Sequence, residues 1–124
     1  MAYEYDDQNV FAKILRGEIP NDTVLETEHS LAFNDIEPQA PVHVLVIPKG
    51  PYVNYEHFTL EASVTELADF SRAIGEVVRL KDLSDDGFRL ISNAGRNGVQ
   101  EVPHLHVHVF GGRPLGRMLA RAEA

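Results

Sequence analysis

The chain has 124 residues, 44% of them hydrophobic and 24% charged, the size and balance of one soluble globular domain. Its net charge of −8 argues against a nucleic acid or an anionic membrane as partner, since both select basic patches. The absence of cysteine excludes disulfides, thiolate metal sites and a cysteine nucleophile, and no apolar run approaches the roughly 18–20 residues of a membrane span.

The lead, residues 1–8, is acidic, lacks the basic-then-apolar layout of a signal peptide and reads as a flexible N-terminus. A cytoplasmic location is expected. From Asn9 to Arg16, Val10, Phe11, Ile14 and Leu15 fall at helical spacing, and Gly17 with Pro20 closes a short amphipathic helix. Thr23–Glu26 and Leu31–Asn34 read as two strands of a hairpin turned at Glu28-His29-Ser30. Residues 35–41 form a proline-punctuated loop, and Val42–Pro48 is a β-branched run suited to a buried strand, with His43 its odd member. Ser63 and Glu66 have capping-box spacing ahead of a long helix, whose apolar face is Val64, Leu67, Phe70, Ile74, Val77 and Val78 and whose end lies near Leu83. Phe88–Ser92 is a further strand, and a loop rich in Gly and Asn, residues 93–103, leads into a last strand, His104–Phe110. Gly111-Gly112 breaks that strand, and residues 113–124 form a C-terminal tail.

Strands joined by hairpins, with two helices that do not alternate with them, predict an α+β fold: one domain over residues 1–124, built on a mainly antiparallel sheet of about five strands. Such a sheet covers one face with helix and leaves the other open.

The last strand carries the chemistry. In His104-Leu105-His106-Val107-His108, alternation of side chains aims three imidazoles at the open face and leaves Leu105, Val107 and Val109 to the core. Imidazole titrates near neutrality and serves as base, nucleophile or metal ligand. On an extended strand His104 and His108 lie about 13 Å apart at their backbones, so the three cannot easily share one ion. Two of them with His43 remain a possible zinc site. The competing reading has one neutral imidazole attack phosphorus while crowding by the others keeps its pKa low, and the turn Gly98–Glu101 offers N–H groups to phosphate oxygens.

The sequence His104–Phe110 matches the His-φ-His-φ-His-φ-φ signature, where φ is an apolar residue. With Phe11-Ala12-Lys13-Ile14, Ala32–Ile36, Pro38-Gln39-Ala40-Pro41, Ile47-Pro48-Lys49 and the stretch Asn93–Gly112, the chain resembles the histidine-triad superfamily over nearly its whole length. The first of these stretches and Gly111-Gly112 resemble its nucleoside phosphoramidase (Hint) branch.

The resemblance implies hydrolysis of purine nucleoside 5′-phosphoramidates, with His106 the nucleophile, His104, His108 and His43 its partners, and no cofactor required. It also implies Asp35 at the ribose. The base pocket would be Val10, Phe11, Ile14, Phe33, Asn34, Ile36 and Leu45, and the phosphate contacts Asn93, Gly98, Gln100 and Glu101. Glu101 departs from relatives that carry a serine there, and a carboxylate either turns away from a phosphate or assists a cationic leaving group. A homodimer is implied, with sheets joined edge to edge, and partners limited to purine nucleoside monophosphate derivatives, without nucleic acid or membrane.

On patterning alone the apolar pocket residues read as core and Asp35 as the start of a turn, while His29 and His57 match nothing and are expected at the surface. A dinucleoside polyphosphate hydrolase of the same superfamily, and a nucleotide-binding module with little catalysis, are the alternative functions.

Overall fold

The computed structural model describes residues 3–120. In chain order it contains α1 (Val10–Leu15), β1 (Thr23–Glu26), β2 (Ser30–Asn34), β3 (Val42–Pro48), α2 (Tyr55–Glu61), α3 (Val64–Leu80), β4 (Phe88–Ile91) and β5 (Val107–Gly111). The strands form one antiparallel sheet in the order β1-β2-β3-β5-β4. The predicted α+β class and five-stranded sheet are found.

β3 lies at the centre because both its faces are apolar. Val44 and Val46 pack with Ala32, Val107 and Val109 beneath Phe70, Ala73 and Val77 of α3 and Phe58 of α2. Leu45 and Ile47 point the other way and join Leu31, Phe33 and Phe11 in a second cluster roofed by α1. Each buried Val, Leu, Ile or Phe among them contributes about 1.5–3 kcal/mol by leaving water. α3 starts at the Ser63–Glu66 capping box, with both reciprocal hydrogen bonds made. α1 is capped by the Asn9 side chain, which accepts from the Ala12 N–H, and Gly17 ends it at φ +79°. Among the described residues no helix is long and apolar enough to cross a membrane.

Several expectations need correction. The histidine-bearing face is not open: α1 and the preceding residues cover it, so His104 and His106 are buried. The last strand begins at Val107, and His104 sits in a bend before it, because Leu105 N–H donates to Tyr52 O (2.8 Å) rather than to a neighbouring strand. A third helix, α2, follows an Asn54 cap and buries His57, expected at the surface, whose Nε2 lies 2.8 Å from Glu61 Oε2. Val64, assigned to the apolar face of α3, is solvent-exposed in its first turn, and Ala73 takes a place on that face instead.

The lead, expected to be flexible, is held from Tyr3 onward. The Tyr3 hydroxyl donates to Glu56, its ring stacks on His57, and Tyr5 bonds to His104. In the tail, Arg89 donates to the carbonyls of Gly116 and Arg117, whereas residues 121–124 lie outside the described part of the chain.

Candidate active site

Four histidines meet beside β3 and β5, and their fixed partners determine which nitrogen of each carries the proton. The backbone N–H of Gln39 donates to His43 Nδ1 (3.2 Å), so the His43 proton is on Nε2 and points at His108 Nδ1, 2.9 Å away. His108 therefore accepts at Nδ1 and presents Nε2–H. His106 Nδ1–H donates to the backbone carbonyl of His104 (2.7 Å), which leaves the His106 Nε2 lone pair free. His104 donates Nε2–H to the Pro48 carbonyl (2.8 Å) and accepts at Nδ1 from the Tyr5 hydroxyl (2.6 Å).

The rings of His106 and His108 lie 5.1 Å apart, as do those of His108 and His43. Phe110 stacks on His108 and lies against His43, an aromatic floor that belongs to the motif but had no role assigned from sequence. Phe11 meets the edge of His106 at 5.0 Å.

Burial keeps this cluster uncharged. It pushes His104 down to about 4, with the neighbouring His106 adding to the effect. It does the same to His108, again to about 4, where His106 and His43 both oppose a further positive charge. His106 and His43 are lowered chiefly by burial too. At neutral pH the cluster therefore offers a free lone pair on His106 and an N–H on His108.

That lone pair belongs to a residue lining a cavity of about 440 Å³, within the range of small-molecule sites. Every residue expected in the base pocket, Val10, Phe11, Ile14, Phe33, Asn34, Ile36 and Leu45, lines it, with Asp35, Glu101 and His106. Ile19, Pro20, Asn21 and Asp22 line it as well, and sequence patterning missed them because they follow α1 as an irregular segment. Ile36, 94% exposed, is an apolar side chain with no protein neighbour to cover it.

Asp35 serves two partners. One oxygen accepts from Glu37 N–H (2.8 Å), the turn expected from patterning, and the other lies 3.4 Å from His43 Nε2. Asp35, His43 and His108 bring one ligand atom each within 4.8 Å of one another. A divalent ion could be held there only by surrendering the His43–His108 hydrogen bond and the proton in it. The cluster pairs one triad histidine, not two, with His43.

The loop before the triad is built on its own backbone. Asn93 donates to the Gly98 carbonyl (2.7 Å), and a Cβ at Gly98 would stand 2.6 Å from the Ala94 carbonyl oxygen, so only glycine fits. Val99 follows at φ +56°, a left-handed conformation that costs a β-branched residue strain. The Gln100 side chain donates to the carbonyls of Val53 (2.6 Å) and Val102 (3.0 Å) and accepts from Gly95 N–H (3.2 Å), which ties the loop to the segment ahead of α2. Glu101 is exposed and lines the cavity, and its charge favours a proton on His106.

A family model described as the HIT domain matches residues 16–115. An uncharacterised 13.2 kDa HIT-like protein of Azospirillum brasilense is 57% identical over 121 residues, covering 98% of this chain and 99% of that one. The purine nucleoside phosphoramidase of Escherichia coli is 43% identical over 116 residues, covering 92% and 95%. Among solved structures, a HIT family hydrolase from Legionella pneumophila aligns with a TM-score of 0.80 at 38% identity, over 87% of this chain and 96% of that one. A histidine triad protein from Clostridium difficile aligns at 0.79 and 35%, over 94% and 100%.

Proposed function

Because the chain belongs to the HIT domain family, we propose that it hydrolyses purine nucleoside 5′-phosphoramidates through a nucleotidyl-His106 intermediate. The observation that carries this reading is the tautomer of His106: its Nδ1–H is spent on the His104 carbonyl, so Nε2 keeps a free lone pair on a residue that lines the cavity. The 43% identity with a purine nucleoside phosphoramidase supports the substrate class.

The nucleoside would lie in the apolar cavity between Phe11, Phe33 and Leu45, with Asp35 accepting from the ribose hydroxyls and the Gly98–Glu101 turn and Asn93 near the phosphate. Nε2 of His106 attacks phosphorus, a P–N bond to the imidazole forms, and the P–N bond to the leaving amine breaks. His108 donates its Nε2–H to the leaving nitrogen as a hydrogen bond, its other nitrogen being held by His43, and the amine takes its proton from a solvent water as the bond breaks. The hydroxide so formed attacks phosphorus of the intermediate, the bond from phosphorus to His106 Nε2 breaks, and the nucleoside monophosphate is released with the His106 lone pair restored. His43 and Asp35 orient His108. No resident metal or other cofactor enters this scheme.

Turnover of adenosine 5′-phosphoramidate tests the reading directly. His106→Ala is expected to abolish turnover and retain nucleotide binding, and brief exposure of the wild type to substrate should give a covalent nucleotide on His106. Activity surviving in H106A would refute the nucleophile, and faster cleavage of diadenosine polyphosphate would move the substrate class. Loss of activity on chelation, restored by zinc, would overturn the metal-free scheme.

The homodimer is proposed on the free edge of β4, where Phe88 and Leu90 are about half exposed beside a groove lined by Tyr55, Ile74 and Val78. Light scattering reads its mass, and a monomer at micromolar concentration would refute it.

A further inference from the structure

The N-terminal segment ahead of α1 packs against His104 through Tyr5. Three of its residues are tied down: the Tyr3 hydroxyl to Glu56, the Tyr5 hydroxyl to His104, and the Asn9 side chain to the Asp6 carbonyl (2.7 Å). Of these, Tyr5 bonds to a histidine of the triad. Its hydroxyl lies 2.6 Å from His104 Nδ1, and the two rings meet edge to face at 5.5 Å.

His104 is completely buried and has only two hydrogen-bonding ring atoms. The Pro48 carbonyl accepts from one, so the other is an acceptor in need of a donor, and Tyr5 is its donor. With both nitrogens occupied the ring cannot flip or change tautomer without leaving a buried polar atom unpaired. The backbone carbonyl of the same residue accepts the Nδ1–H of His106 at 2.7 Å and so decides which nitrogen of His106 keeps its lone pair.

We propose that Tyr5 is a positioning residue for the nucleophile: by donating to His104 it fixes the ring and peptide whose carbonyl holds His106 in the Nδ1–H, Nε2-lone-pair tautomer. The proposal rests on His106 as the attacking group. Its physical content is that removing the one hydroxyl that donates to His104 lets His106 populate the other tautomer, in which Nε2 carries the proton and has no lone pair for attack.

The test is Tyr5→Phe, which keeps the ring and its packing, with Tyr3→Phe as the control that loosens the same segment without touching His104. Two measurements are made on each. Steady-state turnover of adenosine 5′-phosphoramidate is expected to show kcat in Y5F lower by about 10-fold or more, because the buried His104 Nδ1 is left without its donor, with KM within about twofold. Y3F should keep the wild-type kcat. Imidazole ¹⁵N spectra of uniformly labelled protein, without substrate, should show His106 as the single Nδ1–H tautomer in wild type and Y3F and as a mixture in Y5F.

A Y5F protein with wild-type kcat overturns the proposal. So does a Y5F protein whose His106 nitrogen shifts are unchanged, even if kcat falls, since the loss would then be merely structural. An equal loss in Y3F would assign the effect to the whole segment and overturn the role of the hydroxyl. Should Y5F prove too unstable to purify, Tyr5→Met, a flexible apolar residue without a donor, is read in the same way. The spectra involve no substrate. A wild type that ignores the phosphoramidate therefore refutes the proposed activity, while the tautomer result still decides for or against Tyr5.

Discussion

Lowering the pH from 7 to 5 should destabilise this fold, and His104→Asn should remove a measurable part of that sensitivity. In the folded chain burial pushes His104 down to about 4, whereas in the unfolded chain the same ring titrates near 6.5. Between these values the unfolded state binds a proton that the folded state refuses, so stability falls as pH falls. The contribution is fully present above about pH 6.5, and integrating from pH 7 to 5 gives a loss of about 2 kcal/mol from His104 alone. His43, His106 and His108 are lowered as well, so their contributions have the same sign. Glu66 and Asp69, both held below the usual carboxylate range, remain ionised in this window and do not confuse it. Urea denaturation at the two pH values reads the effect. With a slope of about 2 kcal/mol per molar, the wild-type midpoint should drop by about 1 M or more, and the drop in H104N should be smaller by about 1 M. Because Asn leaves its own hydrogen bonds imperfect, the difference between pH values is the informative quantity rather than the absolute stability of the variant. A wild-type midpoint that is flat or rises on acidification would refute the uncharged cluster. An H104N protein with the wild-type pH dependence would refute the assignment to His104.

Val99→Gly should stabilise the chain by about 1 kcal/mol, since it relieves about 1–2 kcal/mol of left-handed strain against about 0.5–1 kcal/mol of added freedom in the unfolded state. Calorimetry should show Tm up by about 4 °C, and a lower Tm would show that the side chain contributes more than its conformation costs. Gly111→Ala should destabilise by about 1–3 kcal/mol, because the new methyl would stand 2.5 Å from the buried Leu83 Cδ2 and overpack the core beneath β5; urea titration matching the wild type would contradict this. Asp35→Asn keeps an oxygen for the Glu37 N–H but loses the charge, so KM for a ribonucleotide substrate should rise about 10-fold or more, with a smaller change for the 2′-deoxy analogue. Equal effects on both substrates would remove Asp35 from the ribose.

Period and punctuation made most of the scaffold legible. β1 and β3 have the expected bounds because β-branched runs bracketed by turn residues have one reading, and α3 starts where Ser63 and Glu66 form their box. α2 was illegible because its seven residues carry one deeply buried apolar side chain, Phe58, and abut α3 through an extended Ala62. A cap signal, Asn54, was present, but too little periodicity followed it. The triad spacing located the chemistry while misplacing His104 on the strand, since alternation describes a strand only as far as its ladder extends, and here the pairing begins at Val107. Tyr5 lay beyond pattern altogether. Its hydrogen bond spans 99 positions in sequence, and nothing local to an acidic lead announces a buried partner so far away. The tautomers were equally hidden, because backbone groups of Gln39, Pro48 and His104 set them and a backbone carbonyl or N–H carries no signature in the sequence.

The strand order also governs how the protein is made. β3, apolar on both faces, lies between β2 and β5, and its pairing of His43 with Phe110 joins residues far apart in the chain. While a ribosome is still extending the chain, β2 can pair with β3, but the other edge of β3 has no native partner until the last strand emerges. From the completion of β3 until then a seven-residue hydrophobic edge is therefore exposed, the kind of template on which nascent chains associate wrongly. Sheet completion is a late, non-local event, and it happens in the same step that brings His108 to His43. A chain terminated before Val107 would thus lose the reactive centre and be released with the sticky middle of its sheet uncovered.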